Sequence, residues 1–129
     1  MKDKYILDSC IWIETHRNNL KVMTLINPWI EKNEICLVDA IKTEVLRGVR
    51  TNKDYERLKL FFNNFPCLSL SWDEVNSLAF ECGRRNFFPP LIDIYISQCA
   101  ILFNKTIVTQ DKHFQKIKSI RSFELLFIS

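Results

Sequence analysis

The sequence holds 129 residues, 47% of them hydrophobic and only two of them glycine, with 18 Lys and Arg against 15 Asp and Glu for a net charge of +3. That length suits one domain with one core, the hydrophobic content argues against disorder, and so few glycines call for helices joined by tight turns. No basic stretch leads into a long apolar one and no apolar run reaches membrane-spanning length, so residues 1–129 read as a single cytoplasmic domain without a membrane segment.

The chain begins with Lys4-Tyr5-Ile6-Leu7-Asp8-Ser9, a short apolar run that ends on a carboxylate and then on a helix-capping residue. A strand running straight into a helix is how a parallel α/β sheet starts, and ligands of such sheets gather at the carboxyl ends of the strands, where Asp8 stands. A plain capping role in a βα turn is the alternative for a lone aspartate. Val22, Leu25, Ile26, Trp29 and Ile30 then mark a helix with one buried face, and Pro28 is expected to kink or restart it. Glu34 to Val38 reads as a second strand, with Asp39 capping a helix over Ala40 to Gly48. That helix sets Glu44 beside Ile41, Val45 and Leu46, at the buried boundary, where an i, i+3 pair with Arg47 is the competing role.

Tyr55, Leu58, Phe61, Phe62 and Phe65 form a further helical stripe, and Cys67 to Leu70 a third strand. Ser71-Trp72-Asp73-Glu74 is a capping box, which accounts for Asp73 and Glu74 structurally and removes both from any site. The helix it opens runs through Val75, Leu78, Ala79 and Cys82 and leaves Phe80 off the stripe. Pro89-Pro90 introduces a helix from Leu91 to Phe103 that is apolar nearly all round and therefore central. Asp93 lies in its first turn among Ile92, Ile94 and Ile96, and a buried charge there needs a partner or a cation. Thr106 to Thr109 is the fourth strand and leads to Asp111. Lys112 to Lys118 is a short basic helix anchored by Phe114 and Ile117, and Phe123 to Ile128 the last strand.

Five cysteines, Cys10, Cys36, Cys67, Cys82 and Cys99, are odd in number and lack a close pair, which argues against a disulfide framework or a zinc set and for small buried hydrophobes. Neither GxGxxG nor GxxxxGK[ST] occurs, so the chemistry falls to carboxylates. Asp8, Glu44, Asp93 and Asp111 supply hard oxygen ligands suited to Mg²⁺ or Mn²⁺, and a cation held by such a set usually acts on phosphates.

These motifs resemble those of the PIN-domain nucleases, most closely the small VapC-type toxins of toxin–antitoxin pairs, over nearly the whole length. Asp8-Ser9 is similar to the family's opening Asp-Thr/Ser, Glu44-Val45-Leu46-Arg47-Gly48 to its Glu-x-x-x-Gly helix, Asp93 to its third acid, and Thr109-Gln110-Asp111-Lys112-His113-Phe114 to its Thr-x-Asp-x-Asp-Phe segment. The resemblance implies a PIN-like three-layer α/β/α sandwich whose five-stranded parallel sheet makes neighbours of the first and fourth strands. It implies a metal-dependent endoribonuclease with Asp8 and Asp93 as primary ligands of Mg²⁺ or Mn²⁺, Glu44 holding water and metal, and Asp111 completing the shell. Ser9 would orient Asp8, and Arg47, Arg50, Lys112 and Lys116 would meet the phosphate backbone of an RNA substrate. A cognate antitoxin and a homodimer are the implied protein partners. Two features depart from the family: His113 stands where many relatives carry another acid, as a surface residue or a phosphate contact, and Pro89-Pro90 replaces the commoner approach to the third acid. A receiver-like signalling domain and a catalytically inactive PIN fold that binds a partner are the rival readings.

Overall fold

The apolar run at residues 5–7 forms the strand β1 (Tyr5–Leu7) and passes directly into α1 (Ser9–His16). α2 (Leu20–Glu31), β2 (Ile35–Val38), α3 (Asp39–Arg47), α4 (Asn52–Phe62) and the two-residue β3 (Cys67–Leu68) follow. α5 (Trp72–Arg84), α6 (Leu91–Phe103), β4 (Thr106–Thr109), α7 (His113–Ile120) and β5 (Glu124–Phe127) complete the chain in this computed structural model, which describes residues 3–128.

The five strands pair in parallel in the order β3-β2-β1-β4-β5, with Ile6 opposite Cys36 on one side of β1 and Leu7 opposite Val108 on the other. The chain thus steps outward in one direction from β1 to β3, then returns to β4 and steps outward in the other. With right-handed crossovers, that reversal puts α1 to α4 on one face and α5 to α7 on the opposite face, giving three layers. The reversal lies between β1 and β4, which is where an open α/β sheet forms its ligand crevice. The receiver fold has the order 2-1-3-4-5, so this sheet excludes the receiver-like alternative.

Burial follows the pattern of the sequence. β1 and β2 are apolar throughout because helices cover both faces, and Ile94 to Ala100 of α6 are buried without interruption. Trp12 anchors one layer, its ring edge-on to Phe62 at 5.3 Å and to Phe65 at 5.4 Å. Four asparagines, Asn18, Asn33, Asn86 and Asn104, adopt left-handed backbone conformations with φ between 55° and 58°, closing α1, α2, α5 and α6. Asparagine tolerates that conformation better than other non-glycine residues, so a chain with two glycines can still stop its helices sharply.

Several boundaries differ from those expected. α2 runs unbroken through Pro28 to Glu31 although the proline cannot donate to Thr24, and Trp29, stacked on Tyr5 at 3.9 Å, holds the last turn against the sheet. Asp39 is the first residue of α3 rather than its cap, with Oδ1 accepting from the Ala40 N–H at 2.8 Å. β3 ends at Leu68 because the Tyr95 hydroxyl takes over the next backbone groups, accepting from Leu70 N–H at 2.8 Å and lying 3.2 Å from its carbonyl. The capping box is present, with Glu74 Oε1 accepting from Ser71 N–H at 3.2 Å and from its hydroxyl at 3.1 Å. All five cysteines are free; Cys36, Cys82 and Cys99 are buried as expected, whereas Cys67, on the short edge strand, is exposed.

Candidate metal and active site

Asp8 leaves β1 at the switch point and is buried to 6% exposure. Its backbone N–H still belongs to the sheet, donating to Val108 O at 2.9 Å, so the carboxylate starts from a fixed position. Oδ1 accepts from the Ser9 N–H at 2.8 Å, which makes Asp8 the N-cap of α1, and Oδ2 accepts from the Thr109 hydroxyl at 2.7 Å. Oδ2 also accepts from the Cys10 thiol at 3.7 Å, and the capping role remains compatible with a site role because Oδ1 keeps a second lone pair. Burial pushes the Asp8 carboxyl above its ordinary range against these hydrogen bonds, and Asp111 adds to the rise.

Thr109 carries the connection to the second acid. The Asp111 N–H donates to its Oγ1 at 2.9 Å, so one hydroxyl at the end of β4 fixes both Asp8 and the turn that presents Asp111. Asp111 Oδ1 in turn accepts from the His113 N–H at 2.9 Å and secures the start of α7. Asp93 arrives from the first turn of α6, with its side chain 13% exposed. Its Oδ2 is buried and has no hydrogen-bond partner among the described residues. Burial, then Asp111 and Asp8, push the Asp93 carboxyl up to about 6, with His113 acting in the opposite sense.

Glu44 approaches from α3. Burial and then Asp8 raise its carboxyl, while Arg47 and a hydrogen bond with the Ser9 side chain lower it. Glu44 thus feels the charge of both Arg47 and Asp8, and no Glu44–Arg47 ion pair forms among the described residues. Asp111 bears on Asp8, Asp8 on Glu44, and Asp111, Asp8 and Glu44 on Asp93, so the four acids are electrostatic neighbours beside the cleft between β1 and β4. Ser9 meets this cleft twice, through its N–H to Asp8 and its side chain to Glu44.

The basic residues are distributed more widely than the acids. Arg47 lines a cavity of about 360 Å³ together with Glu44, Asp39, Trp72 and Tyr95. Arg50 is exposed in the segment between α3 and α4, outside the lining of that cavity, and Lys112 is exposed just before α7. Lys116 points its ammonium at the Phe87 ring, 4.5 Å from the centroid, so a cation–π contact accounts for its position.

His113 is the residue whose place the sequence did not foretell. It is exposed, at 58% of its side chain, yet its Nδ1 lies 3.4 Å from Asp93 Oδ2 and 3.3 Å from Asp111 Oδ1. Asp93, Asp111 and His113 each offer one ligand atom, and the three atoms lie within 4.8 Å of one another. Thr109 was also without an assigned role, although a hydroxyl at the end of an otherwise apolar buried strand is a polar group in need of a partner.

No protein-family model and no curated protein matches the sequence. Solved structures do match. A chain of the VapBC2 complex of Rickettsia felis, bound to a DNA fragment from its promoter, superposes with a TM-score of 0.75 at 19% identity, covering 94% of this chain and 96% of that one. A toxin–antitoxin complex from Klebsiella pneumoniae gives 0.73 at 17% identity, over 94% and 99%. DNA-bound VapBC from Salmonella typhimurium gives 0.66 at 16%, over 95% and 96%. The chain has the PIN-like α/β fold of these toxin–antitoxin structures over nearly its full length.

Proposed function

We propose that this chain is a divalent-cation-dependent endoribonuclease and the toxin of a type II toxin–antitoxin pair. The observation that carries the reading is Asp93 Oδ2, a buried carboxylate oxygen with no hydrogen-bond partner among the described residues, facing two further ligand atoms. An orphaned buried anion is costly unless a positive charge meets it, and the surrounding donors, mostly carboxylate oxygens, suit Mg²⁺ or Mn²⁺. Asp93 and Asp111 would hold the ion with Asp8, and Glu44 would reach it from α3. When bound, such a cation lowers the pKa of water and neutralises charge on a phosphate under attack.

The residues of the chain supply position. Asp8, held through both oxygens, is the rigid member, whereas Glu44 at the cavity rim is placed to orient a water and receive its proton, helped by a carboxyl raised by burial. Arg47 opens the same cavity to a phosphate, and Ser9, Arg50 and Lys112 extend the possible backbone contacts. RNA fits this arrangement as substrate because its unpaired bases can turn outward and stack on aromatic side chains, and Trp72, at 52% exposure, borders the cavity.

An antitoxin partner is supported by the toxin–antitoxin complexes that share the fold. Phe80, 66% exposed with the Arg84 guanidinium over its ring at 5.7 Å, provides an apolar surface for that partner or for a second copy of the chain. The test is induced expression in a bacterial host: the parent chain arrests growth and degrades RNA, and Asp93→Asn does neither while accumulating to the same level. Growth arrest of equal strength by Asp93→Asn would remove the nuclease from the explanation.

A further inference from the structure

His113 opens α7, and its backbone is tied to Asp111 by the 2.9 Å bond from its N–H to Oδ1. That bond fixes the Cα close to the acids, and the ring, although 58% exposed, turns its Nδ1 edge toward them. Nδ1 then lies 3.3 Å from Asp111 Oδ1 and 3.4 Å from Asp93 Oδ2. Asp93 Oδ2 makes no hydrogen bond with it, so the ring approaches the orphaned oxygen without satisfying it.

These spacings are those of ligands around a common ion. Bonds of about 2.1 Å at right angles separate neighbouring ligand atoms by about 3 Å, and opposite ones by about 4.2 Å. His113 Nδ1, at 3.3 and 3.4 Å from the two carboxylate oxygens, is near the neighbouring-ligand distance, and all three residues offer ligand atoms within 4.8 Å of one another. A neutral imidazole carries a lone pair on one nitrogen, and in this conformation Nδ1 is the nitrogen that faces the acids.

We propose that His113 Nδ1 is itself a ligand of the cation, and that it biases the site toward a first-row transition ion such as Mn²⁺ over Mg²⁺. The inference rests on the cation site proposed above and adds to it both a ligand and a selectivity. Mg²⁺ favours an all-oxygen shell and gives up water reluctantly, whereas imidazole binds readily to transition ions. An acid at this position would complete an oxygen set with little preference between the two. The histidine replaces that oxygen by nitrogen in a shell whose other members, Asp93 and Asp111, stay hard.

Pulsed electron paramagnetic resonance on the Mn²⁺-loaded protein tests this, because directly bound imidazole gives a ¹⁴N hyperfine signal. The chain has only two histidines, and His16 is exposed at the end of α1. The signal should be present in the parent, persist in His16→Ala and vanish in His113→Ala. Calorimetry should give tighter binding of Mn²⁺ than of Mg²⁺ by the parent, and His113→Asp should narrow that ratio by about tenfold, the scale on which loss of a supporting group alters metal affinity. Circular dichroism establishes that both variants are folded. Mn²⁺ bound without nitrogen coupling, or an unchanged ratio in His113→Asp, would make His113 an ion-pair partner of Asp93 only and overturn the inference while leaving the cation site standing. No Mn²⁺ binding at all would overturn the cation site as well.

Discussion

The Thr109 hydroxyl donates to Asp8 Oδ2 at 2.7 Å, joining residues 101 positions apart at the carboxyl ends of two adjacent strands. Thr109 Oγ1 also accepts from the Asp111 N–H at 2.9 Å. A single buried hydroxyl therefore sets the distance between two acids that would otherwise separate. Thr109→Val keeps the shape of the side chain and removes both bonds, leaving Asp8 Oδ2 only the weak Cys10 thiol donor at 3.7 Å and the Asp111 N–H without its partner. The expected loss is about 1–3 kcal/mol in urea unfolding of the chelated protein, with RNA cleavage slower by about tenfold. Unchanged stability and rate would mean that Asp8 is positioned by α1 alone.

Asp93 connects site and stability. Its folded carboxyl titrates at about 6 against an ordinary 3.8, so the folded protein binds this proton more tightly than the unfolded chain. The stabilisation it confers is complete below the ordinary value and is lost as pH rises through about 6. Chelated Asp93→Asn, which cannot ionise there, should match the parent near pH 4 and exceed it at pH 7.5 by on the order of 2 kcal/mol, a figure reduced for the solvent that reaches the cleft. Melting curves of both proteins in EDTA across that range check the sign. A gap that shrinks as pH rises would show that ionised Asp93 is well compensated by its neighbours.

Metal addition should reverse that order. At pH 7.5 the parent gains melting temperature from Mn²⁺ as ligand binding stabilises the folded state, and Asp93→Asn gains far less. Equal gains in both proteins would place the ion away from Asp93.

The cavity beside Glu44 gives a prediction for substrate. The Trp72 ring lies 5.2 Å from Tyr95, tilted by 50°, and leaves about half its surface to solvent. Trp72→Ala and Arg47→Ala should each weaken binding of single-stranded RNA by about tenfold, the scale of one lost base stack or phosphate contact. Mn²⁺ affinity should stay at the parent value in Trp72→Ala. Undiminished RNA binding by both variants would direct the substrate to another surface.

Much of this architecture was legible in the residues. The limits of α6 and β4 follow from an apolar run bounded by Pro90 and Asn104 and from Thr106-Ile107-Val108-Thr109, because burial on all sides writes an uninterrupted apolar pattern. Asp8, Glu44, Asp93 and Asp111 stood out as acids at strand ends or among apolar neighbours, and the sheet order sets the strand ends that lead to Asp8 and Asp111 side by side. His113 stands out in the sequence as a departure from the family pattern, but its approach to Asp93 and Asp111 does not, because periodicity records which face of a helix is buried and says nothing of a ring that reaches sideways from its first residue. The early end of β3 escaped for a similar reason, since it depends on a hydroxyl 25 residues away that replaces a strand partner. Pro28 does not break α2, whose last turn is held by the stacking of Trp29 on Tyr5, a tertiary contact that sequence pattern does not record.

The central claim is that a cation held by these acids cuts RNA, and one time course examines it directly. Purified protein is mixed with a structured RNA and Mn²⁺ at neutral pH, excess EDTA is added midway, and Mn²⁺ is later restored above the chelator. The expected record is cleavage, arrest and renewed cleavage, with Asp8→Asn folded but inactive throughout. Cleavage that continues undiminished in EDTA, or that Asp8→Asn sustains at the parent rate, would contradict the claim.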